Sequence, residues 1–470
     1  MARKKGLKQY SEEELVKELA HRHASQYFRE GMTLSEIELS VDAMIHKQGE
    51  PSIALMLSRM KPEKPTAKAC PKCGKRTPVK ARDRERSVRS LAGPLTFKRN
   101  YHYCEACKFG FYPVDRRLDL PEEGELTAEM EKRVLDFAIN DVYGQCAARW
   151  TLHYGKSISD NQLRQVVNRV GRQCEQADEL RLQEQLKPIE KPTEVLVVQN
   201  DGGMLPMRGP EPWKEAKVGV IYRHDVEKKK PQPESARYVA VIDTMEKFTA
   251  LLREALAAER SDEVQTIVWL GDGALCNWTL VDLLAPDAVQ ILDYQHAVQH
   301  AVDCGKVLLG EGDPCLAAWQ QRAEALLMEG DTEATVQELM QCVPEVKKRR
   351  KGRADGLKAL DGLVRYFRNN AHRMRYRLFR EHGYPIGTGA VESAHRHVLQ
   401  SRMKRSGQHW AMASGRRMAR LRAAYRTAGA LQFHAAIRRA HWATRTEPPR
   451  LRRGRNHRDL SARAARVASD

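Results

Sequence analysis

The chain has 470 residues, 41% of them hydrophobic, enough for roughly three domains with at least one sizeable core. Lys and Arg number 80 against 61 Asp and Glu, a net charge of +19 that suits a polyanionic partner, nucleic acid above all. No apolar run approaches the ~18 residues of a membrane helix. The basic start Met1-Ala2-Arg3-Lys4-Lys5 runs into Glu12-Glu13-Glu14 rather than a signal-peptide core, and ten cysteines are too few for a disulfide scaffold. Integral-membrane and disulfide-rich secreted classes are thereby excluded, and a cytoplasmic protein is expected.

Residues 1–60 read as an accessory helical segment. Ser11-x-x-Glu14 is a capping box followed by Leu15, Leu19, His23 and Tyr27, and Ser35 opens a second amphipathic stretch through Ile37, Val41, Met44 and Ile45. Lys61-Pro62-Glu63-Lys64-Pro65 is a linker by composition.

A zinc-ribbon-like unit is expected over 65–120. Cys70-Pro71-Lys72-Cys73 and Cys104-Glu105-Ala106-Cys107 bracket a hairpin in which Val88, Leu91, the Gly93-Pro94 turn, then Leu95, Phe97, Arg99, Tyr101 and Tyr103 alternate. Two C-x-x-C knuckles supply the four thiolates of a tetrahedral structural Zn²⁺; a redox dithiol, the rival, needs one pair. Lys72, Lys75, Arg76, Lys80, Arg82, Arg84 and Arg86 are expected on the surface, as a DNA contact or as a solvated basic face.

The pattern is helical over 125–187. A helix around Gln145–Leu152 precedes Tyr154-Gly155, and Ser159-x-x-Gln162 caps a second helix with a buried stripe of Leu163, Val166, Val167 and Val170. Asp160, Asn161, Arg164, Gln165, Asn168 and Arg169 are left outside. Asn161 and Arg164 are of the residue types that read base edges, so this is a helix-turn-helix DNA reader or a structural hairpin of the same outline.

After Pro188-Ile189-Glu190-Lys191-Pro192 come five strand-like runs, Val195–Gln199, Lys217–Tyr222, Arg237–Ile242, Gln265–Leu270 and Val289–Leu292. Helix-like stretches lie at Met245–Glu259 and around Trp278–Leu284, which makes an α/β arrangement with a mixed five-stranded sheet. Residues 298–385 read as an all-helical insertion containing the basic run Lys347–Lys351, and 446–470 as a basic disordered tail.

Two of the strands run into acids framed by glycine, Gln199-Asn200-Asp201-Gly202-Gly203 and Gly271-Asp272-Gly273-Ala274. A third acid, Glu392, lies in Gly387-Thr388-Gly389-Ala390-Val391-Glu392-Ser393-Ala394 at a helix start. Singly, an Asp after a strand is a common turn former. Together, three carboxylates suit Mg²⁺ (or Mn²⁺), and a pair of such ions clamps the attacking and leaving oxygens of phosphoryl displacement. From Ser393 to Thr446 there are twelve Arg or Lys and no acid, which argues for phosphate contacts from Arg396, Arg402, Lys404, Arg405, Arg416, Arg417, Arg420 and Arg422 rather than a solvated helix face.

On these segments the chain resembles bacterial insertion-sequence transposases of the ISKra type and their mutator-like relatives, over about residues 65 to 430. The likeness also includes Pro286–Val298 with its Asp293-Tyr294-Gln295-His296, the run Gln400–Trp410, and Tyr101-His102-Tyr103-Cys104. The resemblance implies a ribonuclease-H-like catalytic domain over 193–297 and 386–430, interrupted by the helical insertion. It implies a DDE triad of Asp201, Asp272 and Glu392 with two divalent ions, and His296 beside the active site, against the plainer alternative of a helix-opening Asp with a packed His. Asn200 departs from the family's usual context. The partners implied are double-stranded DNA, as the element's terminal inverted repeats and target DNA, and a second copy of the chain in a homodimer or higher oligomer at nucleoid-associated DNA. The rival readings are a catalytically inactive transposase-derived DNA-binding protein and a structure-selective nuclease on the same fold.

Overall fold

In a computed structural model the described residues are 11–60, 63–121, 124–341 and 353–446. They fall into two compact units, Met1–Val134 and Leu135–Asp470. The expected tail lies outside the described residues apart from Thr446, as does the run Lys347–Lys351.

The first unit opens with α1 (Glu12–Tyr27) and α2 (Leu34–Ser58), each started by a reciprocal capping box, Ser11 with Glu14 and Thr33 with Glu36. The second cap falls two residues before the expected Ser35, because Thr33 has the Glu three residues on that closes the box. Neither helix buries a residue. Short β1 (Lys68–Ala69) and β2 (Arg76–Thr77) frame the first cysteine knuckle, and β3 (Val79–Arg89), β4 (Pro94–Cys104) and β5 (Phe109–Phe111) form an antiparallel sheet. The hairpin is as the sequence predicts, with one difference. Leu95 is buried at the turn end, but toward the knuckles burial passes to Asn100, His102 and Cys104 on the other face of the strand, which leaves Tyr101 and Tyr103 half-buried. Over the same stretch β3 is irregular, with Asp83 at a positive φ of 49° and its N–H donating to Asn100 Oδ1. The helices α3 (Pro113–Arg117) and α4 (Ala128–Asn140) follow.

In the second unit α5 (Tyr143–Tyr154) ends on Gly155 at a φ of 60°, a left-handed cap that favours glycine. The helix α6 (Asp160–Gln176) starts on the Ser159–Gln162 capping box, and α7 (Glu179–Leu186) completes the region. The strands β6 (Val195–Pro206), β7 (Trp213–Asp225), β8 (Lys230–Val241), β9 (Thr266–Gly271) and β10 (Val289–Leu292) make one sheet in the order β10-β9-β6-β7-β8. The pairs β6–β7 and β7–β8 are antiparallel, while β6–β9 and β9–β10 are parallel, reached through the crossover helices α8 (Met245–Ala258) and α9 (Leu275–Leu284). The near-continuous apolar runs of the central strands mark burial on both faces: Leu196, Val197, Val198, Trp269, Leu270 and Ile291 are fully inaccessible. Each such side chain contributes about 1.5–3 kcal/mol by leaving water.

Beyond β10 come α10 (Tyr294–Leu309), α11 (Cys315–Glu329), α12 (Thr332–Gln341), α13 (Arg353–Asn370) and α14 (Tyr376–Glu381), with no strand among the described residues. The chain then returns to the sheet in α15 (Gly389–Ala394), which continues as a π-helical segment, His395–Gln400. The long α16 (Met412–Ala428) and α17 (Phe433–Thr446) close the unit, α16 against β8 and α6, and α17 against α6 and α7. The fold is therefore mixed α/β with a mixed five-stranded sheet. No helix among the described residues is long and apolar enough to cross a membrane.

Candidate functional site

In the first unit Cys70, Cys73, Cys104 and Cys107 bring their sulfurs within 4.8 Å of one another. Cys70 follows β1, and its carbonyl accepts from Gly74 N–H in a tight turn where Gly74 holds a φ of 72°. Cys104 ends β4, and β5 brings Phe109 and Phe111 against the buried pair Cys70 and Cys104. Cys73 Sγ and Cys104 Sγ are 3.7 Å apart. Four sulfurs at ~2.3 Å from a tetrahedral Zn²⁺ stand roughly 3.8 Å apart, so the tetrad fits that ion. The Cys107 backbone N–H, helped by the neighbouring thiols, lowers the Cys104 thiol to about 6, which predisposes it to ligate as thiolate. Of the basic residues expected at the surface here, Arg86 is buried, paired with Asp115 at 2.7 Å and bonded to Pro121 O. The others are exposed, though Lys80 lies over the Tyr103 ring and Lys72 over Phe109.

In the second unit two of the acids stand level with each other on neighbouring chain segments of the sheet. The last parallel pair of β6 and β9 is Gln199↔Leu270, and Asp201 and Asp272 each lie two residues beyond it. Side chains alternate along a strand, so Asp201 shares the face of Gln199, while Asp272 lies one residue past the end of β9. The helix that carries Glu392 is fastened to Gln199, which donates to Gly387 O (3.2 Å) and accepts from Val391 N–H (3.1 Å), pinning the start of α15. One turn later His395 reaches Asp201, Nε2 to Oδ2 3.5 Å.

Asp201 is not at a strand end, as the sequence suggested. It lies inside β6, which runs on to Pro206 because β7 remains paired with it to Trp213. Among the described residues the three acids do not close to within 4.8 Å of one another as the cysteines do. Three carboxylates without a counter-charge repel at shorter range. Their acceptor capacity remains: Asp272 Oδ1 takes Ala274 N–H (3.0 Å) and Asn277 Nδ2 (2.7 Å), while Asp272 Oδ2 and both oxygens of Glu392 have no hydrogen bond within the described residues. Open carboxylate oxygens are the donors a hard divalent cation takes.

Several residues that build this end carry no local signal in the sequence. Asn200, the unexpected neighbour of Asp201, is buried. It accepts from Trp269 Nε1 (2.8 Å) and donates to Asn277 Oδ1 (2.6 Å), linking β6 to β9 and, through Asn277, to Asp272. Asp293 is a buried helix cap: Oδ1 takes the backbone N–H of His296 (2.7 Å), and Oδ2 takes Thr388 N–H (2.6 Å) and Oγ1 (2.8 Å). The spacing of Asp293 and His296 is thus that of an N-cap and the third helical residue, with the His296 side chain exposed, not packed. His296 stands 6.2 Å from the His300 ring, which lies 4.2 Å from Tyr366, whose hydroxyl approaches Asp272 O (3.4 Å). Burial, and then the proximity of His296, lowers the pKa of His300, while burial raises that of Tyr366.

The expected nucleic-acid contacts divide. Asn161 and Arg164 are exposed on the first turns of α6, but Arg169 is buried and Asn168 is half-buried with its Oδ1 3.4 Å from Ser414 Oγ. Arg396 and Lys404 are exposed. Arg402 is buried, bonded to Ala138 O (3.3 Å) between the Tyr143 and Trp410 rings, and Arg405 is paired with Asp141 at 2.8 Å. Arg416 pairs with Asp243, Arg417 with Glu175, and buried Arg420 with Glu179. Buried Arg422 bonds Val398 O, His397 O and Ile139 O. The segment lacks acids because other elements supply its acceptors, so Arg402, Arg420 and Arg422 are internal braces rather than phosphate ligands.

Comparison with curated proteins gives no match. A family model does match residues 27–440, covering both the cysteine tetrad and the acids. The chain belongs to the uncharacterised protein family UPF0236.

Proposed function

We propose that the chain is an insertion-sequence transposase that cleaves phosphodiesters at the element's ends and joins them to target DNA, with Asp201, Asp272 and Glu392 as the ligands of two divalent ions on a ribonuclease-H-like sheet. The observation that carries this is the register: Asp201 and Asp272 stand two residues past the pair Gln199↔Leu270 on neighbouring parallel strands, with the Glu392 helix fastened to Gln199. The order of the sheet supports it, an antiparallel three-strand meander extended by two parallel crossovers.

The chain's own groups do the positioning. Asp201 and Asp272 would hold one divalent ion and Asp201 and Glu392 a second, a pairing that would suit water activation and stabilisation of the departing 3′-oxygen. Magnesium or manganese, when bound, supplies the Lewis acidity for both. Asn277 holds Asp272 Oδ1, and the Asp293–Thr388 clasp holds the loop before Glu392. Exposed Arg396 and Lys404 neutralise phosphates, Asn161 and Arg164 read base edges, and the four cysteines hold a structural Zn²⁺. The working form is a homodimer or higher oligomer on nucleoid-associated DNA, since two ends must be joined.

The test is Asp272→Asn assayed on end-containing DNA with Mg²⁺. Cleavage is expected to fall by roughly a thousandfold or more, with end binding kept. Normal cleavage by the variant overturns the proposal. A strand-transfer assay on the unsubstituted chain separates the transposase from a structure-selective nuclease, which cuts and does not join.

A further inference from the structure

Among the described residues, His395 sets its imidazole against Asp201 and leaves Nε2 without a hydrogen-bond partner. Its ring is 6% exposed, and that nitrogen is buried. A buried imidazole nitrogen left unpaired loses its hydration without compensation, so its retention asks for a partner that the polypeptide does not supply. Nε2 faces Asp201 Oδ2 at 3.5 Å, too long for a good N–H···O bond. Two donors at about 2.1–2.2 Å from one ion stand on the order of 3 to 3.5 Å apart, so the same separation suits two ligands of a shared cation.

The surroundings fix the ring there. A Cβ at Gly203 would lie 2.9 Å from His395 Nδ1, so the backbone of β6 leaves room for the imidazole only because that residue is glycine. Glu392 precedes His395 by three residues, placing both side chains on one helical face. His395 also begins the π-helical segment, whose His397 and Val398 carbonyls are taken by Arg422. Such widened turns are found at functional sites more than elsewhere.

Resting on the proposed function above, we propose that His395 is a nitrogen ligand of a divalent cation shared with Asp201, giving that position a mixed oxygen–nitrogen donor set that favours Mn²⁺ over Mg²⁺. Imidazole suits first-row transition ions, whereas Mg²⁺ takes oxygen donors and keeps its waters. The oxygen-only position beside Asp272 has no such preference.

The experiment is Mn²⁺ titration of the full, zinc-loaded chain followed by electron paramagnetic resonance, with ¹⁴N coupling read by the pulsed method. The unsubstituted chain is expected to show a ¹⁴N coupling that His395→Gln removes and His300→Gln retains. Mn²⁺ affinity at that position should fall roughly tenfold or more in His395→Gln, and Mg²⁺ affinity, measured by competition, by less than about threefold. Gly203→Ala, which displaces the ring and keeps the imidazole, should also weaken the coupling, so the inference stays testable if His395→Gln does not fold. Mn²⁺ uptake without ¹⁴N coupling, or coupling that survives His395→Gln, overturns the ligand assignment and leaves the acids' role intact. A chain that takes up no Mn²⁺ overturns both. Coupling that is lost in His395→Gln, in a chain that cuts no DNA, supports the ligand and refutes the transposase.

Discussion

Asp293 shows how much one carboxylate can settle. It caps α10 and, across 95 residues of sequence, ties down the loop that delivers Glu392. Asp293→Ala removes the cap and leaves the Thr388 N–H and hydroxyl without an acceptor. The expected loss is about 2–4 kcal/mol of stability, together with cleavage, read by urea unfolding and the end-cutting assay. Thr388→Val, which keeps the backbone bond, should cost less than half of that. His224 offers a test in pH. Burial lowers its pKa, against weaker raising contributions from Gly383 O and Asp225, so the folded chain holds it neutral where the unfolded chain is already protonated. Stability is therefore expected to fall as pH drops through the ordinary histidine value near ~6.5 and to level off only below the lowered folded value. In His224→Gln the fall should be shallower by at most about 1.4 kcal/mol per unit of pKa difference. An unchanged slope refutes the assignment.

Among elements, the basic C-terminal helices were the least legible from sequence. Strands, capping boxes and paired cysteines announce themselves within a few residues, and each kind is found, though β6 runs on to Pro206 and the second capping box starts at Thr33. The partners of Arg405, Arg417 and Arg420 lie 264, 242 and 241 residues away, at Asp141, Glu175 and Glu179. No local pattern distinguishes such an arginine from one facing solvent. The same distance hid Gln199, whose contacts at Gly387 and Val391 lie 188 and 192 residues on. Arg422 and Arg396 make the contrast testable. Burial, with Arg426 and Arg402 nearby, pushes the Arg422 pKa down to about 9, and its bonds go to carbonyls and a hydroxyl. Arg422→Met is expected to lose about 3 kcal/mol or more by denaturant unfolding, since several carbonyls lose their donor. Arg396→Ala and Lys404→Ala should change stability by less than about 0.5 kcal/mol and each reduce the salt dependence of DNA binding by about one charge. Equal effects of the three substitutions on stability would refute the division.

At the scale of the whole molecule, two units with separate chemistry should respond separately to metal. Zinc removal by a chelator, or Cys104→Ser, is expected to unfold the cysteine sheet, because structural zinc contributes on the order of 10 kcal/mol to so small a core. Calorimetry should show that transition lost and the transition of the five-stranded sheet nearly unmoved; loss of both together refutes it. The long helical excursion between β10 and α15 has a further consequence, for synthesis. Closing a loop of 95 residues to join Asp293 with Thr388 costs about 4 kcal/mol in chain entropy, and that contact cannot form before Thr388 has left the ribosome. A nascent chain thus carries a finished sheet and two of its acids through some hundred codons while the third is still untranslated. On the proposed reading the acid set is completed only after Glu392 has been translated, and a product terminated before that residue would lack the third carboxylate.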